Sequence, residues 1–174
     1  MTLKKGSVHD YLGIKWDLSN PGQVQLSMQG YVKDIFAKYK EAKPQRAPAN
    51  ENLFVASEAS PFLTKDKREM FHSLVLTLHY IAKRVRPDPL TSTSWCASRV
   101  LSSTEEDDKK LDRIMGHLFA TKDRGTILRI EEKMELRAYV DASYAVYQDA
   151  KSVTGVVIIL GVSFQWEPIS FVDR

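Results

Sequence analysis

An α+β fold is predicted by two changes of period along the chain. Apolar residues alternate with polar ones between 8 and 28, recur at helical spacing over 29–42 and again from 64 to Gly125, and alternate once more from Thr126 onward. Turn formers stand where the period changes: Ser19-Asn-Pro-Gly22, then a stretch from Pro44 to Pro61 with three prolines, then Gly125. The combination predicts a β-hairpin, three or four helices, and the opening of an antiparallel sheet.

The hairpin comes first. In 8–18, Tyr11, Ile14 and Trp16 are spaced by small or polar residues, which reads as one strand with Gly13 at a bulge or a close backbone approach. Ser19-Asn-Pro-Gly22 is a turn, and Gln23-Val-Gln-Leu-Ser-Met28 supplies the partner strand. Tyr31, Val32, Ile35, Phe36 and Tyr39 then fall on one face of an amphipathic helix over 29–42, which Lys43-Pro44 ends. Weak periodicity predicts a loop from Pro44 to Pro61.

The clearest helix spans 64–83, with Thr64 as N-cap and an apolar stripe of Met70, Phe71, Leu74, Leu78 and Ile81. Pro87 and Pro89 stop it, because proline lacks the donor a helix needs. A second helix covers 90–101 through Trp95, Ala97 and Leu101, with Trp95 and Cys96 assigned to the core. A third starts at Ser103 or Thr104, where Ser103 and Glu106 fit a capping box. Its first turn carries Glu105 to Asp108, which complement the helix dipole. Leu111, Ile114, Met115 and Leu118 form its buried stripe, and Gly125 is read as its stop.

Strands follow at Thr126–Ile130 and through Met134, Leu136, Ala138 and Val140, which alternate with Glu135, Arg137, Tyr139 and Asp141. Residues 152–160 and 162–169 supply two more, turning at Gly161. A domain boundary is placed near residue 130, dividing 1–130 from 131–174. The later strands leave an apolar face and open edges, which invites association.

Composition narrows the class. No run reaches the ~20 apolar residues that span a bilayer, and the first six residues lack the apolar core of a secretory signal. With Cys96 as the sole cysteine, no internal disulfide forms. These features predict an intracellular protein, cytoplasmic or nuclear, with no membrane partner. Net charge is +3, but residues 1–50 hold eight Lys or Arg against four acids. A basic front end suits a polyanion; a solvated lysine-rich helix face explains it equally well.

Four stretches match one known family in order. His9-Asp-Tyr-Leu-Gly-Ile14 resembles its "(H)DYLG(I/M)" strand, with Leu26-Ser-Met and Tyr31-Val-Lys matching the partner strand and helix. Phe71-His-Ser-Leu-Val75, Tyr80-Ile-Ala and Arg86-Pro-Asp88 resemble "YRSLVGSLLYLA-TRPD". Ile114 to Gly125 resembles "RILRYLKGTKDYG", although the glycine of "LKGT" is Ala120 here. Tyr139-Val-Asp-Ala-Ser, Lys151-Ser-Val-Thr-Gly155 and Leu160-Gly161 resemble "YSDADWAG…RKSTSGYVFFLG". The chain therefore resembles the reverse transcriptase of copia-type retrotransposons where it passes into ribonuclease H.

The resemblance implies thumb- and connection-like helices after the hairpin, then a partial ribonuclease H-like sheet. It implies Mg2+ and a primer–template or RNA–DNA hybrid as partners of the parent enzyme, beside the remainder of the polyprotein. In the family a Tyr-x-Asp-Asp turn upstream of the "DYLG" strand holds the polymerase metals, and no such turn occurs in these 174 residues. Asp141 corresponds to the first ribonuclease H carboxylate, a metal ligand by resemblance, whereas the next acid belongs to a "STxAE" helix that this sequence does not reach. The tail, which carries Glu167 and Asp173, also departs from the family's "ISWSSKKQ". A two-metal site needs several carboxylates, so a fragment without catalysis or bound Mg2+ of its own is expected. It would be a relic, a slice of a longer active polyprotein, or a retained nucleic-acid- or protein-binding module.

Nucleic-acid contacts are assigned by resemblance to Tyr11, Gly13, Lys15 and Trp16, where reverse transcriptases grip the primer end. The alternative is that Tyr11, Ile14 and Trp16 only pack the hairpin onto helix 29–42. Lys83, Arg84 and Arg86 form a basic cluster at a helix end, suited to phosphate or to dipole compensation. His72 and His79 lie seven apart with no acid or cysteine at ligand spacing, which argues against a metal site.

Overall fold

The computed structural model describes residues 5–39, 43–57, 59–129, 135–144 and 152–160. Among them are six strands and four α-helices, the α+β class. The order is β1 (Val8–Tyr11), β2 (Ile14–Asp17), β3 (Gln23–Ser27), α1 (Gln29–Lys38), α2 (Lys65–Arg84), α3 (Leu90–Ser98), α4 (Glu105–Ala120), β4 (Thr126–Arg129), β5 (Leu136–Ser143) and β6 (Val153–Leu160).

Residues 8–18 are two strands, not one. Tyr11 pairs with Ile14, so only Leu12 and Gly13 make the connection. Both have positive φ, 53° and 75°, the two-residue hairpin geometry whose twist matches that of the flanking strands. What alternation presents as a bulge at Gly13 is therefore a reversal, paid for in backbone strain at Leu12. The turn before β3 closes as expected, Gln23 N–H donating to the Asn20 carbonyl at 3.3 Å.

β4 lies antiparallel to β3, with Leu26 opposite Thr126 and Gln23 opposite Arg129, giving a sheet ordered β1-β2-β3-β4. Its inner face carries Ile14, Trp16, Val24 and Leu26 toward the helices. One core cluster joins Ile14 and Leu26 to Val32 and Ile35 of α1, Phe71, Val75, Leu78 and Ile81 of α2, Trp95 and Cys96 of α3, and Leu111, Ile114, Met115 and Leu118 of α4. The α2 stripe is shifted from the expected one: Val75 is buried, whereas Met70 is 61% exposed. Leu101 is 90% exposed, because α3 stops at Ser98 and a 3-10 turn over Val100–Ser102 points it outward.

The capping box of α4 sits one residue later than Ser103–Glu106. The Thr104 Oγ1 accepts from Asp107 N–H at 3.4 Å, and the Asp107 carboxylate accepts from Thr104 N–H at 3.0 Å. Residues 61–63 decide between the two: Leu63 N–H donates to the Ser103 carbonyl and Glu105 N–H to the Pro61 carbonyl, both at 3.0 Å. These bonds keep Ser103 extended and start the helix after Thr104. Thr64 occupies the N-cap position of α2 without a side-chain cap bond. α4 ends at Ala120, with Thr121 as C-cap, so Gly125 lies in the connection to β4 rather than at the helix stop.

β5 and β6 form a separate two-stranded sheet in register from Leu136–Leu160 to Ser143–Val153. One face lines up Leu136, Ala138 and Val140 against Leu160, Ile158 and Val156, all exposed. Met134, Lys151, Gly161 and the strand expected at 162–169 lie outside the described residues.

The 43–46 segment crosses α4 so closely that Gly116 is required. A Cβ there would lie 2.1 Å from the Lys43 carbonyl oxygen and 2.8 Å from Gln45 Cγ, while Gln45 N–H donates to the Gly116 carbonyl at 3.1 Å. Gly116→Ala is expected to cost about 1–3 kcal/mol by overpacking, read as a lower urea midpoint with an unchanged slope. Two-stranded sheets are marginal on their own. Amide exchange is therefore expected to be fast across 136–143 and 153–160 and slow across 71–81 and 111–118; equal protection of the sheet and the helices would contradict this.

Candidate functional site

The β1–β2 turn is fastened to the helices by aromatic side chains. Tyr80 of α2 donates its hydroxyl to the Leu12 carbonyl at 2.9 Å. Its ring lies 5.6 Å from that of Tyr31 on α1, and the Arg84 guanidinium sits over it at 5.4 Å. Gly13 rests against Tyr31, with room for a Cβ at 3.6 Å, so positive φ rather than crowding calls for glycine. The tip thus projects from a tyrosine platform with a cation beside it.

Of the residues singled out in the sequence, Gly13 and Arg84 are brought together there. Tyr11 is 66% exposed on the outer strand of the sheet. Lys15 is exposed on the opposite face from Ile14 and Trp16, next to Asp10, its pairing partner. Of the three residues in the packing alternative, Ile14 and Trp16 pack into or against the core, whereas the exposed Tyr11 does not. Lys83 is exposed in the last turn of α2.

Arg86 departs from its assignment as a phosphate contact. It is 3% exposed, and its guanidinium is consumed by internal partners. Nε and Nη2 donate to Asp88 Oδ1 and Oδ2 at 2.9 and 2.7 Å. Nη1 and Nη2 reach the Thr121 carbonyl and hydroxyl at 2.8 and 2.6 Å. His117 completes the knot: Nε2 lies 2.7 Å from Asp88 Oδ2 and Nδ1 3.1 Å from the Arg46 carbonyl. Burial pushes the Asp88 carboxyl up, but the hydrogen bonds from His117 and Arg86, with the Arg86 charge, outweigh it and hold it well below the usual range. The Arg-Pro-Asp corner is a structural tie.

Asp141 is exposed on β5, opposite Gly155. Among the described residues, no group of three His, Cys, Asp or Glu could hold a metal ion. The described residues around Asp141 therefore do not fit a two-metal site, and Glu167 and Asp173 lie outside them. His72 is exposed, while His79 Nδ1 lies 3.1 Å from the Thr93 hydroxyl. Tyr31, Tyr80, Gly116 and His117 are the residues that sequence reasoning left out of any site. Tyr31 was visible on the apolar stripe of its helix and in the Tyr31-Val-Lys match, and Tyr80 only in the Tyr80-Ile-Ala match.

No protein-family model matches the chain, and no solved structure matches it. Among curated proteins it is similar to the retrovirus-related Pol polyprotein from transposon RE1 of Arabidopsis thaliana, 29% identical over 157 residues, which is 88% of this chain and 10% of that protein. It is also similar to the retrovirus-related Pol polyprotein from transposon RE2 of the same plant, 27% identical over the same fractions of each. The chain spans about a tenth of the length of these relatives. Among the described residues, no helix is long and apolar enough to cross a membrane.

Arg86→Ala leaves the partly buried Asp88 carboxylate without its bidentate partner, and removing one member of such a pair costs about 3–5 kcal/mol. Chemical denaturation should show this loss. Because the folded Asp88 carboxyl titrates below its unfolded value, its contribution is complete above about pH 4 and fades as pH falls further. Asp88→Asn should therefore lower stability near neutrality and flatten its decline on acidification.

Proposed function

We propose that this chain is the part of a copia-type Pol polyprotein in which the end of reverse transcriptase runs into ribonuclease H, divided near residue 130. The observation that carries the reading is the similarity to two Pol polyproteins over 88% of the chain. The tyrosine-backed turn at Leu12-Gly13 supports it, because a rigid, exposed reversal beside cations suits the backbone of a primer end. In this reading Tyr11, Leu12 and Gly13 face the nucleic acid, and Lys15, Lys83 and Arg84 supply phosphate contacts. Trp16 positions the hairpin from behind, and Arg86 holds the corner from which Lys83 and Arg84 project.

The chain by itself is a binding piece rather than a catalyst. Asp141 would be one ligand of a magnesium pair whose other carboxylates come from elsewhere in a polyprotein. The partner is an RNA–DNA hybrid or primer–template, with the remainder of the polyprotein beside it.

Fluorescence anisotropy with a labelled RNA–DNA hybrid tests this. Two to three phosphate contacts predict affinity falling about 10- to 40-fold between 50 and 200 mM salt. The Lys83→Glu/Arg84→Glu double variant should weaken binding and lower the salt slope by about two. Absence of binding at 50 mM salt would overturn the grip. Magnesium-dependent hydrolysis lost in Asp141→Asn would overturn the claim that the chain lacks catalysis.

A further inference from the structure

A groove of about 580 Å³ runs between α1 and the end of α4, apart from the turn and its tyrosines. Val32, Lys33 and Phe36 of α1 line one side, and Phe119, Lys122 and Asp123 the other. On α1 these residues share a face at spacings of three and four, next to the face that carries Tyr31 and Ile35. Phe36 and Phe119 are half-buried and meet edge to face, ring centroids 5.3 Å apart at 83°. The Lys122 ammonium lies over the Phe119 ring at 5.7 Å, and Lys33 is exposed across the groove.

We infer that this groove is a subsite for one unpaired nucleotide of a single strand, its base stacked on Phe119 and its phosphate held by Lys33 and Lys122. Its charge decides the occupant. Two lysines face one acid on the lining, which favours an anion, and the apolar floor between them needs a flat, weakly polar group. An unpaired nucleotide has both properties, a flat base and a charged phosphate in one unit, whereas a duplex keeps its bases stacked inside. Asp123 does not oppose this, since a carboxylate accepts hydrogen bonds from the amino groups of cytosine, adenine or guanine. A base that stacks on the Phe119 ring takes the place of the Lys122 ammonium now over it, and the ammonium swings to the phosphate, so a cation–ring contact is exchanged for stacking and an ion pair.

The inference stands apart from the hybrid grip, and its test separates the two. The full chain is titrated into a labelled eight-nucleotide single strand and, separately, into the RNA–DNA hybrid. Phe119→Ala is expected to weaken single-strand binding about ten-fold, with Phe119→Trp restoring it. Lys122→Glu, at an exposed position that does not threaten folding, should weaken it comparably and reduce its salt slope. Both should leave hybrid binding within about two-fold, while the Lys83→Glu/Arg84→Glu pair does the reverse. Single-strand affinity unchanged in Lys122→Glu and in a folded Phe119→Ala would overturn the subsite. Displacement of the strand by an uncharged amphipathic peptide but not by a second oligonucleotide would overturn the assigned occupant.

Discussion

The arrangement of the helices depends on the ionic knot at Arg86, Asp88, His117 and Thr121. It ties the corner after α2 to the end of α4, and through the Arg46 carbonyl it fixes the segment that leads away from α1. Apolar packing among α2, α3 and α4 is non-directional and tolerates small rotations. A guanidinium that must reach one carboxylate and one threonine at four fixed distances tolerates far less. The knot therefore sets the angle between helices that share the core, and with it the place where Lys83, Arg84 and Lys122 emerge. Gly116 belongs to the same device, since a larger residue would hold the 43–46 segment away from His117.

Much of the fold was legible because burial is periodic. The stripe of Leu111, Ile114, Met115 and Leu118, and the strands β5 and β6, are read directly from spacing. Boundaries failed where the deciding partner is remote. Ser103-x-x-Glu106 and Thr104-x-x-Asp107 are equivalent as local patterns, and only hydrogen bonds from 61 and 63 choose between them. The reversal at Leu12-Gly13 was hidden for a related reason: a two-residue turn preserves side-chain alternation, so one strand and a tight hairpin look alike in sequence. A leucine at positive φ is a poor signal for such a turn.

The candidate site was legible in part, and its errors are instructive. A cluster of Lys83, Arg84 and Arg86 looks uniform as a list of charges. The helix ends between them, so two point to solvent and the third turns inward, where Asp88, two residues on, is waiting. Charge in a sequence does not disclose its partner. Tyr31 and Tyr80 were equally unremarkable: the first stood on an amphipathic stripe, the second outside the stripe of its helix, and neither position discloses what a tyrosine's ring or hydroxyl will meet. The link from Tyr80 to Leu12 spans 68 residues, beyond any local pattern.

The pairing of β3 with β4 makes the whole of 28–125, helices included, an excursion between two neighbouring strands. A ribosome has released the hairpin and α1 long before β4 exists, so β3 spends that interval as a bare edge. Closing the sheet is consequently a late, long-range event, and the loop it closes contains the core that must stabilise it. A break anywhere in that excursion would do more than remove a helix. It would turn an intramolecular strand into a ligand that has to find its edge from solution.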